Sequence, residues 1–504
     1  MIITNPIRME EEVSEEAIFY MIEKPNEQQI NHNTEDYGNI VENEFKDVTQ
    51  NPLSTFSIDV DNASYSNVRR FLNYSQLPDK GAVRIEEMIN YFDYDYPDAK
   101  GEHPFNFITE ISDCPWAEGN KVVHIGIQGK KLDYKDIRPS NLVFLLDVSG
   151  SMSDNNKLPL LKKSFNLLLD ELDDKDKISI VVYAGAAGLV LPPTSASEKD
   201  MIKTALNNLH AGGSTAGGAG ILLAYEQAKK AFIKDGNNRI ILATDGDFNV
   251  GNSSTGSLVE LVEEKRKDDI YLTILGFGMG NYKDNRMEEI SNAGNGNYFY
   301  IDNIKEAEKV FVKEMRANLF TIAKDVKIQI EFNPENVKSY RLIGYENRIL
   351  AKEDFNDDKK DAGELGAGHT VTALYEIVPA SSSFNARKSD KLKYQETKIK
   401  ENASANELMT LKFRYKPPKK NKSIKLEHPV IDNNVKLAKT SDNFRFSLSV
   451  AAFGMLLRDS KFKGSANYEM VEELAKKALG KDENGYRAEY LSLVKTAKLL
   501  SSRP

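Results

Sequence analysis

The sequence predicts an α/β protein with a central, doubly wound and mostly parallel sheet, flanked by an antiparallel, sandwich-like β region and a C-terminal helical segment. Three observations predict this architecture. Strand-like apolar runs alternate with helix-like stretches from residue 142 to 319, which is the pattern of βα units. After Phe320, apolar and polar residues alternate in short runs. After Asn443, apolar residues recur at helical spacing.

Two regions precede the central sheet. Residues 1–43 are rich in Glu and Asn and show little periodicity, so we expect a disordered acidic tether. Residues 44–139 are predicted to form an α+β region. It would contain a strand and a helix following Ser54, a helix over 83–92, and strands at 105–111 and 122–126.

The central domain is predicted over residues 140–322. Its strands are predicted at 142–147, 178–184, 188–191, 239–244, 270–276 and 297–301, and its helices near 158–171, 198–209, 217–233, 257–267, 284–292 and 304–319. Only Gly185 to Ala187 separate the second strand from the third. A gap of that length fits a hairpin and not a helical crossover, so we expect one antiparallel edge strand.

Residues 323–442 are predicted to be β-rich, and residues 443–504 to be helical. Period-two runs at 326–332, 370–377 and 408–415 indicate antiparallel strands. Because strands occur on both sides of the central domain, we predict that the strands of 100–140 pair with those of 325–430. The central domain would then be an insertion in one antiparallel sandwich.

Composition excludes several classes of function. The 504-residue chain carries a formal net charge of −9, which argues against nucleic acid or an anionic membrane as the main partner. Its one cysteine, Cys114, allows no internal disulfide, and its six histidines show no HExxH-type pairing, so we expect no zinc site. Met1 to Glu12 lack the apolar core of a signal peptide, and no window has the length and apolarity of a membrane span. Membrane association would require a leader or anchor outside this sequence.

The first strand of the central domain carries a set of oxygen ligands at its end. Asp147, Ser149 and Ser151 follow it at positions i, i+2 and i+4. Mg²⁺ prefers small oxygen ligands in near-octahedral geometry. One carboxylate and two hydroxyls supply three such oxygens and leave positions for water and for a ligand from another molecule. Each residue alone is equally typical of a turn or a helix N-cap.

Two later segments strengthen this interpretation. A glycine-rich loop, 210–220, carries Thr215 and runs directly into a helical stretch. A second strand, 239–244, ends in Asp245 followed by a glycine. Open α/β sheets bind ligands outside the carboxyl ends of their strands, and Asp147 and Asp245 both lie there.

This order of residues resembles the metal-ion-dependent adhesion site (MIDAS) of von Willebrand factor type A (VWA) domains, whose sheet is doubly wound in the Rossmann manner. The resemblance extends from about Asn141 to Phe320. It implies a metal site formed by Asp147, Ser149, Ser151, Thr215 and Asp245. The cation would be Mg²⁺, with Mn²⁺ or Ca²⁺ as alternatives, and an Asp or Glu carboxylate of a partner protein would fill its open position.

The flanking regions resemble those of bacterial YfbK-type proteins. In the N-terminal flank the resemblance rests on the segments 54–61 and 84–93, and in the C-terminal flank it covers residues 330–500. Related bacterial proteins usually carry a leader, so the resemblance implies the cell envelope, periplasm or surface as the location.

We therefore expect a metal-ion-dependent protein-recognition or adhesion module that is not an enzyme. An alternative is an adaptor subunit of an intracellular assembly with an ATPase or chelatase partner. A second alternative is a hydrolase that uses the cation as a Lewis acid. The residues favour neither catalysis nor nucleotide binding: Cys114 has no histidine nearby in sequence, and the glycine-rich loop lacks the Gly-Lys-Ser/Thr of a phosphate-binding loop.

Overall fold

The computed structural model describes residues 35–58, 60–131, 138–214, 217–246, 255–280, 283–314, 320–360, 362–383, 406–418, 420 and 422–502. The strands are β1 (Lys46–Asp47), β2 (Leu53–Ser57), β3 (Phe105–Asp113), β4 (Lys121–Gly129), β5 (Ser140–Asp147), β6 (Lys177–Tyr183), β7 (Ala187–Ser195), β8 (Asn237–Thr244), β9 (Ile270–Phe277), β10 (Tyr298–Ile301), β11 (Thr321–Phe332), β12 (Val337–Ile343), β13 (Ile349–Leu350), β14 (Leu365–Gly366), β15 (Thr370–Pro379), β16 (Glu407–Lys416) and β17 (Ile424–Ile431). The helices are α1 (Ala63–Asn73), α2 (Ile85–Asn90), α3 (Leu158–Glu171), α4 (Lys199–Asn207), α5 (Gly217–Lys230), α6 (Thr255–Arg266), α7 (Asp284–Ala293), α8 (Ile304–Glu308), α9 (Asp442–Arg458), α10 (Tyr468–Lys476) and α11 (Tyr486–Ser501).

The central sheet has the strand order β10-β9-β8-β5-β6-β7. Its pairs are parallel except β6 with β7, which confirms the predicted antiparallel edge strand. Successive residues of β5 enter different cores: Phe144 packs on one face of the sheet and Val143 on the other. Because helices cover both faces, every position of β5 is buried and its middle, Leu142–Leu146, is continuously apolar, while Asp147 is the last residue of the strand.

Two antiparallel sheets flank this domain and share one apolar core. One has the order β1-β12-β15-β4-β3, and the other has the order β13-β2-β11-β16-β17. The pairing of β4 with β15 and of β2 with β11 joins strands from before and after the central domain. The prediction that these distant strands form one sandwich, with the central domain inserted between β4 and β11, is confirmed.

Two long strands of the sandwich, β12 and β17, were not predicted, and each has a local reason. In β12 the alternation is obscured because Arg341 is buried, where it forms an ion pair of 2.9 Å with Glu376 on the neighbouring strand. The strand β17 contains Pro429, which argues against a central strand. Its position at the edge of the sheet explains why proline is tolerated there.

The N-terminal and C-terminal helices form a single layer. Side chains of α1 and α2, such as Val68 and Met88, share a core with those of α9 to α11, such as Phe453 and Tyr490. The sequence prediction placed these helices in two separate regions, 44–139 and 443–504. In the structure their apolar faces pack against each other in one core. The predicted helix 83–92 is shorter than expected and covers only α2.

The predicted tether needs correction at its C-terminal end. Residues 1–34 lie outside the described residues, but residues 35–43 contact the folded body. Glu35 forms an ion pair of 2.8 Å with Arg70, and the Asn43 amide donates hydrogen bonds to two backbone carbonyls near the end of β12. The buried guanidinium of Arg70 binds Glu35, and the composition of the segment does not reveal this contact.

The last helix of the central domain also differs from its prediction over 304–319. It comprises α8 and a π-helical turn, Lys309–Glu314, while residues 315–319 lie outside the described range. In this turn the buried ammonium of Lys309 pairs with Glu314 and lies 4.1 Å from the centre of the Tyr91 ring. Wider turns of this kind occur mostly as single turns, often at functional positions.

Candidate metal centre

Asp147 is held at the carboxyl end of β5 by three neutral donors. Its Oδ1 accepts a hydrogen bond of 2.9 Å from the backbone N–H of Ser149. Its Oδ2 accepts bonds from the hydroxyls of Tyr183, at 3.1 Å, and Thr244, at 3.2 Å. The two hydroxyl donors come from the ends of the two strands that border β5, so the position of the carboxylate depends on the assembled sheet.

Ser149 and Ser151 lie beside each other in the loop that follows β5, which we call the first loop. Their Oγ atoms are 3.0 Å apart, and Ser149 is buried while Ser151 is exposed. The turn that carries them therefore runs from a buried residue to an exposed one. Because Ser151 is exposed, a group from another molecule can reach this end of the loop.

The glycine-rich loop is fastened to this turn through the backbone. The N–H of Gly150 donates to the carbonyl of Gly213 at 3.0 Å, and the N–H of Gly212 donates to the carbonyl of Val148 at 2.8 Å. Gly213 has a φ of +82°, which a residue with a side chain rarely adopts. Thr215 itself lies outside the described residues. Its predicted ligand role stays a prediction, although the segment that leads to it contacts the first loop.

Asp245 follows β8, the strand next to β5, and is buried. Its Oδ2 accepts a bond of 3.0 Å from the ammonium of Lys157. Its Oδ1 is buried and has no hydrogen-bond partner among the described residues. An anionic oxygen in that state is costly unless something compensates it, and a hard cation that binds oxygen ligands would do so. The residues present therefore fit a divalent cation.

The electrostatics of the two aspartates support the same interpretation. Burial raises the pKa of Asp147, hydrogen bonds from Ser149 lower it, and the nearby charge of Asp245 raises it again. Two carboxylates that repel each other in a buried place are stabilised in their charged forms by a cation.

The sequence prediction did not include Lys157, which precedes α3 and is buried. Its ammonium bonds to Asp245 and to the carbonyl oxygen of Ser151, at 2.9 Å. It thereby joins the first loop to Asp245 at the end of β8. A lysine in a polar stretch after Ser151 is typical of an exposed residue, so no sequence signal distinguished it.

A second group of acidic side chains, formed by Asp61, Glu87 and Glu288, has ligand oxygens within 4.8 Å of one another. Arg84 lies 3.3 Å from Glu87 and 2.8 Å from Glu288, and Arg348 lies 3.0 Å from Asp61. We interpret this group as an ion-pair network and not as a metal centre, because two guanidiniums already occupy its centre. It joins the N-terminal helices, the central domain and the sandwich.

The doubly wound sheet, its antiparallel edge strand and the two strand-end aspartates define the class of the molecule as a VWA-domain protein. A family model described as von Willebrand factor type A domain matches residues 141–313, and one described as von Willebrand factor matches residues 31–124. VWA domains generally mediate protein–protein interactions.

The flanking regions narrow this class to one family. A model described as the C-terminal part of the uncharacterized protein YfbK matches residues 317–500. YfbK of Escherichia coli K12 is 44% identical over 477 residues, which cover 93% of this chain and 82% of that protein. The chain belongs to the YfbK family of VWA proteins.

Other relatives match only part of the chain. The human inter-alpha-trypsin inhibitor heavy chain H3 is 25% identical over 260 residues, 47% of this chain and 28% of that protein. The magnesium-chelatase 67 kDa subunit of Chlorobaculum tepidum is 28% identical over 233 residues, 40% of this chain and 37% of that protein. Among solved structures, a von Willebrand factor type A protein from Catenulispora acidiphila is 15% identical, with a TM-score of 0.42 over 77% of this chain and 90% of that one.

No helix in the described part of the chain has the length and apolarity needed to cross a bilayer.

Proposed function

We propose that this protein recognises a partner protein through a divalent cation, Mg²⁺ in the first instance, at the carboxyl edge of its central sheet. The cation would be held by Asp147, Ser149, Ser151, Thr215 and Asp245, some directly and some through water. When bound, it supplies an electrophilic position that an Asp or Glu carboxylate of the partner completes.

One observation carries the proposal. Asp245 keeps a buried Oδ1 without a hydrogen-bond partner among the described residues, at the same edge as Asp147. The hydroxyls of Ser149 and Ser151 are neighbours at this edge, and Ser151 opens it to solvent. Buried acceptors in folded proteins nearly always have a partner, so a buried carboxylate oxygen without one among the described residues, at the edge that carries the two serine hydroxyls, supports a cation-binding role.

Calorimetric titration with Mg²⁺ and Mn²⁺ tests the metal site. We expect Asp147→Ala to abolish binding, since it removes a central ligand. Asp170→Ala is the control, because Asp170 is also acidic, lies at the other end of α3 from Lys157, and has a side chain that is 64% exposed. The proposal is wrong if the Asp147→Ala protein binds either ion as tightly as the parent.

The recognition role needs a separate test. The immobilised protein is incubated with an extract of its native source, with and without chelator, and the captured proteins are compared with those of Asp147→Ala. A true partner is lost both on chelation and on substitution. Mutation of acidic side chains on that partner should then identify the carboxylate. A partner retained under both conditions would contradict the cation-dependent mechanism.

An adaptor role in an assembly with an ATPase is the second candidate, favoured by the similarity to a magnesium-chelatase subunit. It predicts co-purification with an ATPase and a change in that enzyme's ATP hydrolysis on addition of this protein. We infer that the protein is not itself an enzyme. Mg²⁺-dependent hydrolysis that disappears in Asp245→Ala would contradict that inference.

A further inference from the structure

We propose that Lys157 determines the charge of the metal centre and thereby its selectivity for an anionic partner group. The inference rests on the proposed function, because it concerns the same site. The positive charge of the Lys157 ammonium neutralises one of the two negative charges of Asp147 and Asp245. Lys157 is a specificity-determining residue and not a metal ligand.

The contacts of Lys157 place its charge inside the site. Nζ lies 3.0 Å from Oδ2 of Asp245 and 2.9 Å from the carbonyl oxygen of Ser151, and it lies 3.8 Å from the exposed Asp154. The lysine side chain is only 8% exposed, so solvent screens its interaction with Asp245 weakly. One carboxylate oxygen of Asp245 is therefore occupied, and the other remains for the cation.

The surrounding structure is shaped to hold the lysine there. The aliphatic chain of Lys157 passes across Gly278, where a Cβ would lie 2.3 Å from its Cε. Gly278 also has a φ of +76°, which favours glycine. A loop after β9 thus leaves space for this side chain, and the position of the ammonium follows from packing as well as from charge.

No other cationic side chain compensates these carboxylates in the described part of the chain. Lys157 is the basic residue within salt-bridge distance of Asp245, and the hydrogen-bond donors to Asp147 are a backbone N–H and two neutral hydroxyls. The charge of the site accordingly depends on one lysine.

The net charge of the metal centre depends on whether Lys157 is present. Asp147, Asp245 and Lys157 together carry one negative charge, so a bound divalent cation leaves the centre with one positive charge. Without the ammonium, the same cation would make the centre neutral. A positive centre attracts a carboxylate from a partner, and a neutral one does so less. The lysine therefore weakens cation binding and strengthens anion binding.

The test replaces Lys157 with methionine, which keeps the aliphatic contact with Gly278 and removes the charge. Mn²⁺ affinity is measured by electron paramagnetic resonance, with Lys163→Met as control, because Lys163 is an exposed lysine on α3. We expect Lys157→Met to bind Mn²⁺ about tenfold more tightly or better, since a neighbouring unit charge shifts such equilibria by one or more decades. Damage to the fold would weaken binding and not tighten it.

Acetate serves as the probe for the anion. It is titrated into the Mn²⁺-loaded proteins, and its entry is followed through the relaxation of water protons at the ion. We expect Lys157→Met to bind acetate about tenfold more weakly than the parent and the Lys163→Met control, by the same charge argument. Lys157→Gln, which keeps a polar group, should change both affinities in the same directions.

The outcomes separate this inference from the proposed function. A parent protein that binds no Mn²⁺ contradicts the metal site itself. A parent that binds Mn²⁺, with a Lys157→Met variant of equal or lower Mn²⁺ affinity, overturns the role of Lys157 and leaves the metal site in place. Tighter Mn²⁺ binding with unchanged acetate binding overturns the selectivity argument.

Discussion

Lys157 and Asp245 form a buried ion pair of 3.0 Å between the loop that precedes α3 and the end of β8. The pair uses one carboxylate oxygen of Asp245, and the other has no hydrogen-bond partner among the described residues. Asp245 thus contacts the ammonium of Lys157 through one oxygen and offers the other oxygen to the proposed metal ion.

Asp245→Asn should lose cation binding while it keeps the fold, because the amide has the shape of the carboxylate without its charge. We expect Mn²⁺ affinity to fall at least about tenfold. The free energy of unfolding should fall by about 1–3 kcal/mol, because the buried Lys157 ammonium loses its charged acceptor. Calorimetry and urea denaturation measure the two effects, and Asp170→Asn, at an exposed aspartate near the other end of α3 from Lys157, should change neither. Unaltered Mn²⁺ affinity would exclude Asp245 from the site.

Gly278→Ala should destabilise the protein through contact with Lys157. A Cβ at this position meets the lysine Cε at 2.3 Å and also requires an unfavourable φ of +76°. Gly280→Ala is the matched control, because Gly280 has a φ of +97° but a Cβ added there would meet no heavy atom of the described residues within 4 Å. We expect each to lose about 1–3 kcal/mol from backbone strain, and Gly278→Ala to lose more in urea denaturation. Equal losses would mean that Lys157 moves aside freely.

Arg84→Met should destabilise the junction of the N-terminal helices with the central domain. Arg84 is buried and contacts Asp284 at 3.0 Å and Glu288 at 2.8 Å. Its removal leaves buried carboxylates without compensation, which costs about 3–5 kcal/mol. The exposed pair of Lys80 and Asp459 provides the control, and Lys80→Met should give no measurable change in chemical denaturation. A small loss for Arg84→Met would show that the network is dispensable.

His124 should make the protein less stable in mild acid. It is buried, bonds to Tyr96 and Ser447, and burial lowers its pKa to about 3. Its contribution is present above the unfolded pKa of about 6.5 and is lost as the pH falls toward 3, by up to about 1.4 kcal/mol per pH unit.

His124→Gln removes this proton and should therefore flatten the decline of unfolding free energy between pH 6.5 and 4. The measurement is urea denaturation at several pH values. His428→Gln, at an exposed histidine, should leave the decline as it is in the parent. An identical pH profile for His124→Gln and the parent would contradict the prediction.

The predictions from sequence were accurate where periodicity reflects burial on a regular element. The strands of the central sheet other than the edge strand β7 fall within a few residues of their predicted bounds, because each of them is largely buried on both faces and contains a continuous apolar run. They were less accurate where a buried polar contact replaces an apolar one. Arg341 interrupts β12 in this way, and Glu35 fastens a segment whose composition indicates disorder.

The sequence by itself determined the order of strands and helices and the presence of Asp147, Ser149, Ser151 and Asp245 at strand ends, since local pattern encodes both. Only the tertiary structure decided that Lys157 enters the site, that the N-terminal and C-terminal helices share one core, and that Oδ1 of Asp245 has no hydrogen-bond partner among the described residues. These features depend on contacts between distant residues. Such contacts arise from packing and charge in three dimensions, and leave no period in the chain that would reveal them.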